Sequence, residues 1–316
     1  MSRNRCKPAV MAVAAVILAA VPLRAAEVQG DVNQSFKVKE KGVLTLNADL
    51  GSVEIRTHRK ATVNVDVRFE PRRDVDDREF KSILRDMDLE MTGKNGDVDI
   101  RLEYKRGSLR VWDGAGRYVR VSFLITVPEV YNVNVKTSGG SIQVRDLTGE
   151  VMASTSGGSL KFGNIQGPVK GRTSGGSIEL QSCKGNAEVK TSGGSIHLGK
   201  VEGDVYAKTS GGRIAVEEVL GRIEAATSGG SIEASISRPP RGNCRLTTSG
   251  GSITVYLAGD AGVDLDAATS GGRVSTDFPV TVQGVISKRS LRAGINGGGP
   301  QLFLRTSGGN IYLKQL

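Results

Sequence analysis

From Thr137 to Leu316 the apolar positions follow a fixed beat. Thr-Ser-Gly-Gly begins at Thr137, Thr155, Thr173, Thr191, Thr209, Thr227, Thr248, Thr269 and Thr306, with spacings of 18 five times and then 21, 21 and 37. Counting each Thr as phase 0, phase 5 carries Ile142, Leu160, Ile178, Ile196, Ile214, Ile232, Ile253, Val274 and Ile311. Phase 7 begins Val144, Phe162, Leu180, Leu198 and Val216, and phase 6 between them holds Gln143, Lys161, Glu179, His197 and Ala215. This period-two alternation predicts a strand with one buried face. A second strand follows from Val151, Val169, Ala187, Val205 and Ile223 at phase 14 and Ala153, Gly171, Val189, Ala207 and Ala225 two residues later.

Each repeat therefore supplies two short strands, and two turns must return the chain to its start. The glycine pair of each repeat, and a further glycine at phase 12 (Gly149, Gly167, Gly185, Gly203, Gly221), predict turns with positive φ. Parallel stacking of such coils places identical side chains ~4.8 Å apart. The reading is an all-β parallel solenoid of 18-residue coils over 137–316. A right-handed coil follows from the handedness of parallel crossovers. A left-handed helix of three six-residue sides also fits the coil length, but the apolar phases do not recur every six residues.

Residues 26–136 lack the repeat. Alternation near Val43–Leu46, Ser52–Arg56, Val63–Arg68, Asp97–Glu103 and Tyr118–Val127 predicts strands, and Phe80, Ile83, Leu84 and Met87 predict one short helix within Asp74–Met87. Gly51-Ser52-Val53 and Gly96-Asp97-Val98 look like decayed coils. The expectation is a β-rich N-terminal region that starts the solenoid and caps its first edge, which would otherwise invite aggregation. The segment SKRSLRAGINGGGP, between Thr269 and Thr306, reads as a long loop.

The first 25 residues read as a secretory signal: Arg3, Arg5 and Lys7, an apolar stretch from Ala9 to Leu23, then Ala25 and Ala26. Later segments fall short of the ~20 apolar residues of a membrane span. Cleavage after Ala25 lowers the formal charge from +10 to +6. That basic balance suits an acidic envelope polymer and gives no reason to expect nucleic acid. With 42 glycines and 4% aromatic residues, small ordered layers suit the chain better than a bulky core.

Chemistry-bearing motifs are few. Gly194 to Lys200 nearly spells a phosphate-binding loop, but Val201 stands where Ser or Thr is needed and the segment is one copy of the repeat. His58 and His197 have no ligand-spaced partners, so neither a metal site nor a cofactor is expected. The serines lie in turns without a matching base, so no catalytic residue is assigned. Glu179, Glu188, Glu217, Glu224 and Glu233 form no acidic ladder, which weighs against a polysaccharide-cleaving enzyme. Cys183 and Cys244 lie about three coils apart, roughly 14 Å along the axis, and so are read as buried free thiols, outside the ~7 Å reach of a disulfide. The coherent surface feature is basic. Arg172, Lys190 and Lys208 share phase 17, with Lys170 and Arg213 nearby, a candidate stripe for anionic ligands.

The run YNVNVKTSGGSIQVRDLTGEVMASTSGGSL, preceded by VRVSFLITVPEV and LNADLGSVEIRT, resembles the bacterial adhesin-type domain family of exported β-strand-repeat proteins with TSGGS repeats. The resemblance implies a β-solenoid and an extracytoplasmic home, periplasmic or at the cell surface, and carries no catalytic residues. The expected function is a non-enzymatic adhesin-like or scaffold protein. Its expected partners are anionic polysaccharide, lipopolysaccharide or another envelope protein; the alternative is a carbohydrate-active β-helix.

Overall fold

The computed structural model describes residues 23–39, 41–72, 75–105, 118–282 and 287–316. Residues 1–22 of the expected signal segment, and Asp74 of the expected helix, lie outside them.

Among the described residues the chain forms two long sheets of 15 and 14 strands, here sheet A and sheet B. Each repeat contributes one strand to each. In sheet A, Val151, Val169, Ala187 and Val205 lie side by side. In sheet B the row runs Ile142, Leu160, Ile178, Ile196, Ile214, Ile232 and Ile253, all parallel. Phases 5, 7, 14 and 16 of these coils point between the sheets and are buried. The expected parallel solenoid of 18-residue coils is the fold.

The corners differ in mechanism from expectation. The Thr-Ser-Gly-Gly glycines do not adopt positive φ, and of the five phase-12 glycines only Gly149 does, at φ 146. What selects glycine is the coil below. A Cβ on Gly158 would lie 2.1 Å from the Gly140 carbonyl oxygen, and Gly176, Gly194, Gly212 and Gly230 repeat that contact. The threonines are buried, between 2% and 7% exposed, and apart from Thr137, which donates to Gly51, each hydroxyl donates to the second corner glycine of the adjacent coil. The series runs Thr155 to Gly140, Thr173 to Gly158, Thr191 to Gly176, Thr209 to Gly194 and Thr227 to Gly212, at 2.7–2.9 Å. Each of these hydroxyls also accepts the N–H of its own second glycine, so a buried polar atom is satisfied on both sides.

Both ends of the solenoid are intercalated. Val43–Ala48 lies between Asp97–Tyr104 and Asn132–Thr137, and Ser52–His58 lies between Val119–Pro128 and Ile142–Val144. At the other end Gln301–Thr306 lies between Cys244–Thr247 and Val263–Thr269. Ile311–Gln315 likewise lies between Ile253–Leu257 and Val274–Thr276. The spatial order of the last corners is therefore Thr248, Thr306, Thr269. The expected loop Ser287–Pro300 is corrected by the same finding: Ser290–Ile295 is a strand, antiparallel to Val263–Thr269, and it turns the chain back toward the open slot.

At the N-terminal edge the pairing becomes antiparallel. Thr62–Pro71 joins Val32–Lys37 to Val119–Pro128, while Met87–Lys94 joins Asp97–Tyr104 to Leu23–Glu27. The helix is shorter than expected, Asp77–Arg85, because Asp76 caps it by accepting from the Arg78 and Glu79 N–H groups. Met87 instead opens a strand, with its side chain buried.

Candidate functional site

Alternation leaves two outward rows on sheet A. The phase-17 row reads Lys136, Ser154, Arg172, Lys190, Lys208, Ala226, Thr247 and Arg305 on successive strands, with no acidic residue. The phase-15 row beside it reads Lys170, Glu188, Tyr206, Glu224, Arg245 and Phe303. Lys170, Arg172, Lys190 and Lys208 therefore share one face. Arg213 does not join them, because it follows the Thr209 corner and enters sheet B, where it forms an ion pair with Glu233.

Glu188 organises the stripe. Its carboxylate accepts from Lys190 at 2.9 Å and from Arg172 at 3.0 Å. Those hydrogen bonds, Lys190's the larger and then Arg172's, hold its carboxyl below the usual carboxylate range despite partial burial. Lys190 also lies 4.5 Å from the Tyr206 ring centre, a cation–π distance that fixes its ammonium. Among the described residues Lys136, Lys170 and Lys208 have no ion pair. The surface around Lys170, Glu188, Lys190, Tyr206, Arg222 and Arg245 forms a shallow groove of about 710 Å³. Lys136 and Arg305 were legible in the sequence as residues directly before Thr-Ser-Gly-Gly. Arg222 and Arg245 carried no such marker.

The outer face of sheet B has its own groove, of about 850 Å³, but its charges are mutually compensated. Lys161 pairs with Glu179 at 3.1 Å, His197 with Glu217 at 3.0 Å, and Arg145 with Glu54 at 2.7 Å. Glu179, Glu188 and Glu233 are thus each paired to a lysine or arginine, and Glu217 to the His197 imidazole. At Glu188 the cationic partners lower the carboxyl pKa, the opposite of the raised value that a glycosidic general acid requires. Among the described residues no group of three or more His, Cys, Asp or Glu side chains could hold a metal ion. No described helix is long and apolar enough to cross a membrane.

Cys183 and Cys244 are both buried and free. Cys183 stacks between Ile165 and Val201, where the repeat places an apolar residue. Burial pushes its thiol up to about 12, and the S–H donates to the Gly185 carbonyl oxygen at 3.1 Å.

Comparison with known proteins adds a family. The model of the Toastrack DUF4097 family matches residues 84–314. No curated protein matches the sequence. A solved structure from Parabacteroides distasonis ATCC 8503, described as a candidate lipid binding protein, is 12% identical over 91% of this chain and 97% of its own, with a TM-score of 0.45. A candidate adhesin from Bacteroides fragilis NCTC 9343 is 13% identical over 92% and 99%, with a TM-score of 0.32. A candidate cell adhesion protein from Clostridium sporogenes ATCC 15579 is 15% identical over 90% and 100%, with a TM-score of 0.23.

Proposed function

The chain belongs to the Toastrack DUF4097 family, and from that premise we propose that it is an exported, non-enzymatic scaffold of adhesin type. It presents the outer face of sheet A to an anionic envelope glycan or lipopolysaccharide, in the periplasm or at the cell surface. The supporting observation is the phase-17 row, where Lys136, Arg172, Lys190 and Lys208 face outward within five successive strands and, among the described residues, Glu188 is the carboxylate that forms ion pairs with them. Like charges held ~4.8 Å apart repel. A polyanion laid along the row relieves that repulsion at each coil. A rigid stack also loses little conformational freedom when it binds.

The route out of the cytoplasm is the signal segment. Cleavage after Ala25 leaves Ala26 and Glu27 opposite Leu89 and Asp88, so the antiparallel edge keeps part of its first strand.

The test is retention of the purified mature chain on immobilised anionic polysaccharide and on lipopolysaccharide. Changing Lys190 and Lys208 to Glu should abolish retention at 0.15 M salt, where the screening length is about 8 Å. Retention equal to the parent would overturn the assignment of this face.

A further inference from the structure

Intercalation of the last coil builds a second cationic cluster, from residues distant in sequence. Arg245, Phe303, Asp266 and Arg292 lie side by side on four neighbouring strands of sheet A. The guanidinium carbons of Arg245 and Arg305 are each 4.2 Å from the centre of the Phe303 ring. Arg305 is fixed: Nη1 donates to the main-chain oxygens of Asp266 at 2.8 Å and Leu304 at 3.0 Å, and Nη2 donates to Asp266 Oδ1 at 2.9 Å. Arg292 donates to the same carboxylate at 3.2 Å.

We propose that Arg245, stacked on Phe303 beside the fixed Arg305, forms a binding site for the carboxylate of an acidic glycan, completed only when the last coil is inserted. This rests on the reading of the sheet A face as glycan-binding, and names the group recognised at one end of it. Asp266 occupies Arg305 and Arg292, whereas Arg245 is exposed and has no ion pair among the described residues. Glu224, opposite it in register, makes no ion pair among the described residues either. A guanidinium offers a planar fork of donors that matches a carboxylate. Stacking on Phe303 holds that fork in one orientation, which reduces the ordering cost of binding.

The site extends the stripe along the same face. Phe303 lies on the phase-15 row three strands beyond Tyr206, roughly 14 Å at ordinary strand spacing. The two aromatic rings thus each hold a cation at separate points along one track, an arrangement for a polymer carrying a carboxylate at intervals.

The experiment measures binding of the purified chain to soluble polygalacturonate, the carboxylate probe, and to polyphosphate, by biolayer interferometry at two salt concentrations. Arg245→Gln should weaken polygalacturonate binding at least fivefold. Phe303→Leu, which keeps apolar area and releases the guanidinium, should weaken it in the same direction. Both variants should melt as the parent does. Equal binding by the parent and Arg245→Gln overturns the site, while the Lys190→Glu/Lys208→Glu variant separately decides the wider reading. Loss in Arg245→Gln with parental binding by the double lysine variant upholds this site and overturns the stripe. Binding of polyphosphate but not polygalacturonate overturns the carboxylate assignment. Failure of the parent to bind either polymer overturns both readings.

Discussion

The Thr306 hydroxyl donates to the Gly251 carbonyl oxygen at 2.7 Å, across 55 positions of sequence. On the opposite side of the same coil, the Thr269 hydroxyl donates to the Gly309 carbonyl oxygen at 2.7 Å. The corner that ends the chain is thereby joined to two corners made before it. Thr306 Oγ1 also accepts the Gly309 N–H at 3.3 Å, and the side chain is buried. Thr306→Val keeps the shape and removes both bonds. The cost should be about 1–3 kcal/mol, the penalty of buried polar groups left without partners. Thr306→Ser keeps the hydroxyl and should cost less. Urea unfolding of the two variants checks the ordering, and a Val variant as stable as the parent would show that the ladder contributes nothing there.

The two glycines of one corner should respond oppositely to a methyl group. A Cβ on Gly157 comes no closer than 3.9 Å to the coil below, whereas on Gly158 it lies 2.1 Å from the Gly140 carbonyl oxygen. Gly157→Ala should change stability by no more than about 0.5 kcal/mol, as for other unencumbered surface positions. Gly158→Ala must push two coils apart and should cost about 1–3 kcal/mol or more. Similar melting temperatures for the pair would contradict a corner set by close approach between coils.

The expected division at residue 136 can be tested by limited proteolysis. Val43–Ala48 is hydrogen-bonded to Asn132–Thr137 as well as to Asp97–Tyr104, and the Thr137 hydroxyl donates to the Gly51 carbonyl at 2.9 Å. We propose that 26–136 starts the solenoid and does not fold apart from it. Nicking near residue 136 should leave the two pieces associated on gel filtration. Release of a folded 26–136 fragment would establish an independent domain.

What the sequence made legible follows from how local each cause is. Burial of Ile142, Leu160 and Ile178 repeats every 18 residues in a strand of fixed period, so both strands and the inward phases could be read directly. The glycine corners were located correctly but for the wrong reason, since the Gly140–Gly158 approach is between coils and leaves no trace in one repeat. Intercalation was invisible because Ile253 pairs with Ile311 and not with Val274, a choice made by the antiparallel return of Ser290–Ile295. The same hidden register placed Phe303 between Arg245 and Asp266, which explains why the basic stripe was legible from Lys170 to Lys208 and the arginine cluster was not.

The thiols give a pH-dependent prediction. The thiolate is the reactive form, and burial pushes the Cys183 pKa up to about 12. Native protein at pH 8 should therefore not react with Ellman's reagent, while the denatured mature chain should expose the thiols of Cys183 and Cys244. The unfolded chain ionises near the ordinary thiol value of about 8.5. The folded state keeps its proton, so this contribution to stability is full below that value and is lost as pH rises toward 12. Rapid modification of the native protein, or a Cys183–Cys244 crosslink in mass spectrometry, would refute the buried register of both residues.

Removing the last coil should open a slot of defined width. Gln301–Thr306 is hydrogen-bonded on both sides, to Cys244–Thr247 and Val263–Thr269, and Ile311–Gln315 is likewise flanked in sheet B. Truncation after Pro300 leaves four strand edges unpaired and uncovers apolar residues that Leu302, Leu304, Ile311 and Leu313 now cover. The truncated chain should melt at a lower temperature and tend to self-associate through those edges. A synthetic peptide spanning residues 301–316 should raise its melting temperature in a concentration-dependent way, because it binds the folded form alone. The same peptide with Leu302, Leu304, Ile311 and Leu313 changed to Ser should not. If the peptide has no effect while the truncated chain stays folded, the flanking coils have closed onto each other, and the slot exists only when the last coil holds it open.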